Sequence, residues 1–366
     1  MSTLALSDAA PRTARGEREI GLWLLACCAM IFLMVLIGGV TRLTESGLSI
    51  TEWQPVTGVV PPLDTAQWQD EFDRYKAIPQ YRAIHADMTL AQFKQIFFWE
   101  YLHRLWGRLI GVVFAVPFVY FLLRGRIPRR LAPRLAGLFV LGGLQGALGW
   151  YMVESGLSQR IEVSQYRLAA HLLAAIVIYI AMLWVALDLL APGARAPAGR
   201  RAARLRRGLS ALILLLLVTL AAGAFVAGLR AGYIYNTFPL MAGGVAPPEY
   251  WSLAPWWRNW FENAAAVQFD HRLLAETTWF VIAGLWLYGL SLELPPRTRL
   301  ALHALFAAAC LQLVLGITTL LLVVPLPVAV AHQAGALLLV TAAVTARHAL
   351  RRRPPPRLDG PAAAAL

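Results

Sequence analysis

The sequence predicts an all-α polytopic membrane protein, with eight transmembrane helices arranged as two four-helix bundles in a parallel repeat. Three observations carry this. Of the 366 residues, 58% are hydrophobic and only 14% charged, proportions far from those of a soluble domain. Eight apolar runs are each long enough to cross about 30 Å of hydrocarbon, which takes about 20 residues as helix. The last four runs also repeat the landmarks of the first four.

The runs lie near residues 20–41, 100–123, 135–154, 166–190, 209–230, 268–291, 300–324 and 328–348. The first could be read as a secretory signal, since arginines precede it. It is too long for a signal core, however, and passes into Gly38-Gly39-Val40-Thr41-Arg42 without a small-residue cleavage site, so it is expected to remain as a helix. A formal charge of +13 would suit nucleic acid if it covered one soluble face. Instead the arginines cluster between runs: Arg12, Arg15 and Arg18 before the first, Arg124 to Arg134 after the second, Arg195 to Arg207 after the fourth, Arg297 and Arg299 after the sixth, and Arg347 to Arg357 at the end. In an eight-helix topology all of these fall on one side. The positive-inside rule makes that side cytoplasmic, with both termini there, and nucleic acid is not an expected partner.

Aligning two histidines exposes the repeat. Trp99-Glu100-Tyr101-Leu102-His103-Arg104-Leu105 faces Val267-Gln268-Phe269-Asp270-His271-Arg272-Leu273, and Leu168-Ala169-Ala170-His171 faces Ala329-Val330-Ala331-His332. Gly38-Gly39-Val40-Thr41-Arg42 likewise resembles Ala227-Gly228-Leu229-Arg230, and Gly58-Val59-Val60-Pro61-Pro62 resembles Gly244-Val245-Ala246-Pro247-Pro248. Four crossings return the chain to its starting side, so the halves are parallel. The expected division is a tail over 1–19, a first bundle over 20–190, a basic linker over 191–208, a second bundle over 209–349 and a tail over 350–366. The outer loops are unequal: 42–98 is long and carries Trp53, Trp68, Tyr75, Tyr81 and His85, whereas 231–266 is shorter and rich in Tyr, Trp and Pro. Long ordered loops are commonly lids, while interfacial anchoring accounts equally well for Trp251, Trp256, Trp257 and Trp260. Cys27, Cys28 and Cys310 all fall within apolar runs, where a structural disulfide is not expected.

His103, His171, His271 and His332 each stand near the start of every second run, at similar depth near the outer face. Ionisable groups inside membranes are rare and functional by default. Imidazoles on facing helices can clamp a haem, so His103 with His171 makes one site and His271 with His332 the other. Zinc is the weaker reading, because its structural sites want four close ligands. His85, His303 and His348 read as polar surface or interface residues.

Glu100 precedes His103 by three residues and shares its helix face, where a carboxylate could take a proton or orient water. The counterpart Gln268 cannot titrate, which suggests a reactive first site and a supporting second one. The structural alternative for Glu100 is a helix N-terminus, and helix capping is also the expected role of Asp270. Arg42, Arg104, Arg230 and Arg272 could pair with haem propionates or simply snorkel to the interface, and none is assigned to a propionate.

On these motifs, together with Thr41-Arg42-Leu43-Thr44-Glu45-Ser46-Gly47-Leu48-Ser49, the chain resembles haem A synthase across nearly all eight runs. The resemblance implies a bacterial inner-membrane enzyme that oxidises a ring methyl of haem O, through hydroxylated intermediates, to the formyl group of haem A needed for cytochrome oxidase. It implies that His103 and His171 surround the substrate haem with Glu100 as a catalytic carboxylate, and that His271 and His332 ligate a haem B cofactor. Haem O synthase and cytochrome oxidase assembly proteins become expected partners. The chain lacks the cysteine pair that some members carry in the first outer loop, so it resembles the long-loop branch and excludes a thiol relay there. Two rivals remain, a diheme b-type electron-transfer cytochrome and a haem carrier or export component.

Overall fold

The computed structural model describes residues 9–54, 57–157, 162–191 and 199–351. Over these it is nearly all helical: α1 (Ala9–Leu43), α2 (Thr65–Lys76), α3 (Pro79–Ile84), α4 (Leu90–Leu123), α5 (Ala132–Leu157), α6 (Gln165–Leu190), α7 (Arg200–Gly228), α8 (Asn259–Glu262), α9 (Ala264–Leu290), α10 (Pro296–Leu321) and α11 (Leu326–Ala349). Among the described residues, eight of these helices are long and apolar enough to cross a membrane, namely α1, α4, α5, α6, α7, α9, α10 and α11. The chain is a multi-pass membrane protein.

Each apolar run coincides with one helix, although those over 209–230, 268–291 and 300–324 end slightly beyond α7, α9 and α10, and several helices start before their runs. α4 begins ten residues before the expected position because Thr89 and Gln92 form a reciprocal capping box, with each side chain satisfying a backbone N–H of the other. α7 begins at Arg200, so the arginines from Arg200 to Arg207 occupy its first turns instead of a linker. Long unbranched side chains such as arginine lose little freedom in a helix. Of the expected linker and tails, residues 1–8, 192–198 and 352–366 lie outside the described residues.

Two apolar cores sit at membrane depth. One joins α1, α4, α5 and α6, from Leu24 and Ile31 to Ile176 and Met182. The other joins α7, α9 and α10, around Leu209, Ile282 and Leu305. α11 contributes to both, Leu337 and Val340 to the first and Leu339 and Ala343 to the second. The segment expected as the first long loop is largely folded: α2, α3 and the first turns of α4 enclose a third core of Leu48, Phe72, Tyr75, Ile78, Phe93, Ile96 and Phe97. Phe72 stacks on Phe93 at 5.0 Å. Each fully buried side chain of this kind stabilises the cap by about 1.5–3 kcal/mol.

Polar ties hold the packing at both ends. Beneath the cap, Arg42 at the end of α1 donates to Glu162 (3.0 Å) and to the Ala227 carbonyl at the end of α7 (3.0 Å). Arg230 pairs with Glu45 and Glu162, and His85 lies 3.3 Å from Glu45. At the opposite end His348 is buried, edge-on to Trp184 at 5.1 Å and 3.1 Å from Asp188, which also pairs with Arg351. His348 is therefore a packed joint between α6 and α11, and not surface. Cys27 and Cys28 are buried free thiols and Cys310 is a half-buried one.

Candidate functional site

The four histidines stand on alternate membrane helices, His103 on α4, His171 on α6, His271 on α9 and His332 on α11. His103 and His171 lie within electrostatic reach of one another, as do His271 and His332. These are the two pairs expected from the sequence. Among the described residues no group of three or more His, Cys, Asp or Glu side chains comes together, so the donor set is paired imidazoles and not a four-ligand zinc site.

Each ring is seated the same way, in a notch left by a glycine on a neighbouring helix. A Cβ built on Gly38 of α1 would stand 2.9 Å from Cε1 of His103, and one on Gly149 of α5 would stand 2.9 Å from Cε1 of His171. In the second half the distances are 3.0 Å from Gly223 of α7 to His271 and 2.9 Å from Gly316 of α10 to His332. Real Cβ atoms essentially never come within 3.0 Å, so a side chain at Gly38, Gly149 or Gly316 would force the ring to shift, and one at Gly223 would press on it. The atom turned into each notch is Cε1, between the two ring nitrogens.

Nδ1 is where the rings meet their polar neighbours. Gln145, one turn before Gly149, sets its Nε2 3.1 Å from Nδ1 of His171 and donates to the His171 carbonyl at 2.8 Å. Gln312, one turn before Gly316, places its Nε2 3.1 Å from Nδ1 of His332. His271 Nδ1 lies 3.2 Å from the Thr219 carbonyl, one turn before Gly223. His103 Nδ1 is buried without a partner, and so are Oε1 of Gln145 and Oε1 of Gln312. Gln145-x-x-x-Gly149 and Gln312-x-x-x-Gly316 thus recur in the repeat. The sequence reading missed them because it aligned the histidines and not the helices that hold them; the shared Leu-Gln-x-x-Leu-Gly string would have revealed both.

Glu100 is 3% exposed and fully engaged. One carboxylate oxygen accepts from Arg104 Nη2 (2.6 Å) and Nε (3.1 Å), the other from Ser49 Oγ (2.7 Å) and the Ile50 N–H (2.8 Å). Arg104 then donates onward to the carbonyls of Ile50 (2.7 Å) and Glu52 (3.0 Å). The second half repeats this brace. Arg272 donates to Oε1 of Gln268 (2.8 Å) and to the carbonyls of Tyr235 (2.6 Å) and Thr237 (2.8 Å), while Gln268 Nε2 donates to the carbonyls of Ala231 and Ile234. The exchange of Glu for Gln follows the polarity of the outer segment: Ser49 and Ile50 offer hydrogens and need an acceptor, whereas Ala231 and Ile234 offer oxygens and need a donor.

Two capping alternatives are overturned. α4 starts at Leu90, so Glu100 lies in its third turn and caps nothing. α9 is capped by Asn263, which accepts from Ala265 and Ala266, and Asp270 instead accepts from the Tyr250 hydroxyl at 2.7 Å. Arg104 and Arg272 bind outer-segment carbonyls, Arg230 joins the two halves in ion pairs with Glu45 and Glu162, and Arg42 joins them through the Ala227 carbonyl.

The residues present fit a haem in each half. Paired neutral imidazoles are its usual axial donors, a notch presents each ring by a defined edge, and the buried unpartnered Nδ1 and Oε1 atoms mark polar demands that a ligand would reorganise.

Comparison with known proteins points the same way. The sequence profile of the cytochrome oxidase assembly protein family matches residues 21–344. The chain is 53% identical over 360 residues to the haem A synthase of Rhodospirillum centenum, covering 98% of this chain and 96% of the relative. It is 52% identical over 337 residues to that of Nitrosospira multiformis (92% and 95% covered) and 50% identical over 341 residues to that of Nitrosomonas eutropha (93% and 95%).

Proposed function

Because this chain belongs to the cytochrome oxidase assembly protein family, we propose that it is a haem A synthase, an oxidoreductase that converts a ring methyl of haem O to a formyl group. The conversion is a four-electron oxidation: the methyl is hydroxylated twice, each time with loss of two electrons to an external oxidant, and the resulting hydrate loses water. The observation that carries the reading is the pair of histidine seats, alike in all four notches, with a buried carboxylate beside only one of them.

In this reading the chain has two four-helix bundles joined between α6 and α7. His103 and His171 hold haem O in the first, and His271 and His332 hold haem B in the second. Bound haem supplies the redox chemistry, and the protein supplies ligation, orientation and exclusion of side reactions. Glu100 shares a helix face with His103, one turn away, and is the catalytic carboxylate, able to accept a proton, stabilise a developing cation or orient water. Arg104 holds that carboxylate in place and anchors it to the outer segment at Ile50 and Glu52. The arginine clusters support placement in a bacterial inner membrane with both termini cytoplasmic and both sites toward the outer face. Haem O synthase and oxidase assembly proteins are the expected neighbours.

The likeness of the four seats also favours a second reading, a diheme b-type electron-transfer cytochrome. Reconstituting the purified protein in liposomes with haem O, a reductant and oxygen separates the two. Conversion of haem O to a hydroxymethyl or formyl product supports the synthase, and reversible reduction without conversion supports the cytochrome.

A further inference from the structure

Haem O and haem B share a porphyrin and its iron, and differ in that haem O carries a long isoprenoid chain. Two halves built on one plan must tell these ligands apart by the room they leave for that chain, which is apolar and belongs at membrane depth. By the registers that pair His103 with His271 and Gly149 with Gly316, Gly111 of α4 corresponds to Trp279 of α9, and Gly142, Gly143 and Gly146 of α5 correspond to Ala309, Cys310 and Leu313 of α10. A Cβ built on any of these four glycines meets nothing within 4 Å. Residues 140–144 of α5 are all exposed. Five successive residues pass right round a helix of 3.6 residues per turn, so α5 is open on its bundle side as well as toward lipid. The counterpart stretch of α10 is closed, with Ala309 buried and Ala308 and Cys310 half-buried.

The opening lies beside the first histidine pair. Gly111 is eight residues beyond His103 on α4, and Gly142 is seven residues before the Gly149 notch on α5. At 1.5 Å per residue both stand about 10–12 Å farther from the cap than the rings. The two helices close again where Phe139 lies against Phe114 (6.0 Å) and Phe118 (6.4 Å). In the second half Phe306, the counterpart of Phe139, packs on Trp286 at 4.4 Å and also on Trp279 at 6.1 Å. The indole thus covers the side of α9 that Gly111 leaves bare on α4. Its N–H is buried without a partner, so volume and not hydrogen bonding accounts for tryptophan at this position. We propose that Trp279 is a specificity-determining residue: it fills in the second half the space that Gly111 leaves between α4 and α5 in the first, so that only the first half admits a haem bearing a long isoprenoid chain. The inference rests on the reading of the first half as the haem O site and the second as the haem B site, and adds to it what separates the two ligands.

The test uses the full-length protein produced with a source of haem O. Its non-covalent haems are extracted and counted per protein as chain-bearing (haem O, its hydroxylated forms and haem A together) or as haem B, a readout that does not depend on turnover. Gly111→Trp, whose Cβ meets nothing, is expected to lose chain-bearing haem by about 5–150-fold, the range of ordinary overpacking, and to keep haem B. Trp279→Leu keeps an apolar side chain toward Phe306 but frees the indole volume. It is expected to carry more chain-bearing haem per protein than the parent, as the second half takes it up in place of haem B. Chain-bearing haem at the parental level in Gly111→Trp overturns the inference and assigns the opening to membrane lipid. Trp279→Leu with no more chain-bearing haem than the parent also overturns it, whether or not the variant retains haem B, because a merely structural tryptophan would lose haem without admitting the other kind. A parent that carries haem B alone overturns the reading of the first half itself.

Discussion

Gly316→Ala is the most sensitive probe of the histidine seats. Its added methyl would stand 2.9 Å from Cε1 of His332, where ordinary van der Waals contact begins at 3.4 Å. The ring must retreat by about 0.5 Å, and metal–ligand distances tolerate only about ±0.2 Å. Neither helix can yield freely, since α10 and α11 pack along each other and into the core around Leu302, Leu305, Leu339 and Ala343. Overpacking of this kind costs about 1–3 kcal/mol, enough to lower haem affinity by about 5–150-fold at 1.4 kcal/mol per factor of ten. The assay is haem content per purified protein by the pyridine haemochrome method. Gly137→Ala is the control, because a Cβ there meets nothing within 4 Å. Gly316→Ala should lose most haem while Gly137→Ala keeps it. Equal haem in the two would refute the argument that the notch sets the ligand's position.

Other perturbations separate the two sites. Glu100→Gln keeps a carbonyl for Arg104 but sets amide hydrogens against the Ser49 hydroxyl and the Ile50 N–H, at about 1–3 kcal/mol. It should retain haem and stall oxidation, whereas Ser49→Ala, which leaves the charge in place, should still oxidise; normal haem A from Glu100→Gln removes the carboxylate from the mechanism. His271→Ala and His332→Ala should deplete haem B first, and unchanged haem B in both contradicts assigning the cofactor to the second half. Burial, and then the bond given to Asp270, pushes the Tyr250 phenol from 10.0 up to about 12. A raised folded-state value contributes stability that is whole below pH 10 and lost as pH rises toward 12. Thermal melts of Tyr250→Phe should therefore fall less steeply than the parent over that range, and identical alkaline slopes would show that this tyrosine contributes nothing there.

Much of the fold was legible because hydrocarbon imposes a length on every apolar run, and each of the eight expected runs coincides with a helix long enough to cross a membrane, its end within about three residues of the helix end. Helix ends were less legible. Leu90–Trp99 mixes Gln92, Lys94 and Gln95 with apolar residues and carries no membrane signal, although the Thr89–Gln92 capping box is a readable start. Arg200–Arg207 reads as a solvated linker by charge, yet arginine is compatible with helix and the segment is the start of α7. The histidines could be located from their spacing alone, but what holds them could not. Gly149 and Gly316 look like ordinary small residues of apolar helices until a ring is placed against them, and Gln145 and Gln312 have meaning only across a helix contact. Glu100 and Gln268 show the converse. The sequence suggested a functional asymmetry, while the structure supplies a polarity match to the outer segments that holds whatever chemistry the carboxylate performs.

The most direct test is to co-express the protein with a source of haem O, purify it, extract its non-covalent haems, and identify them by chromatography and mass spectrometry. Haem A or its hydroxylated precursor beside haem B is the predicted result. Haem B alone, in the presence of abundant haem O, would contradict the synthase and leave an electron-transfer or carrier protein.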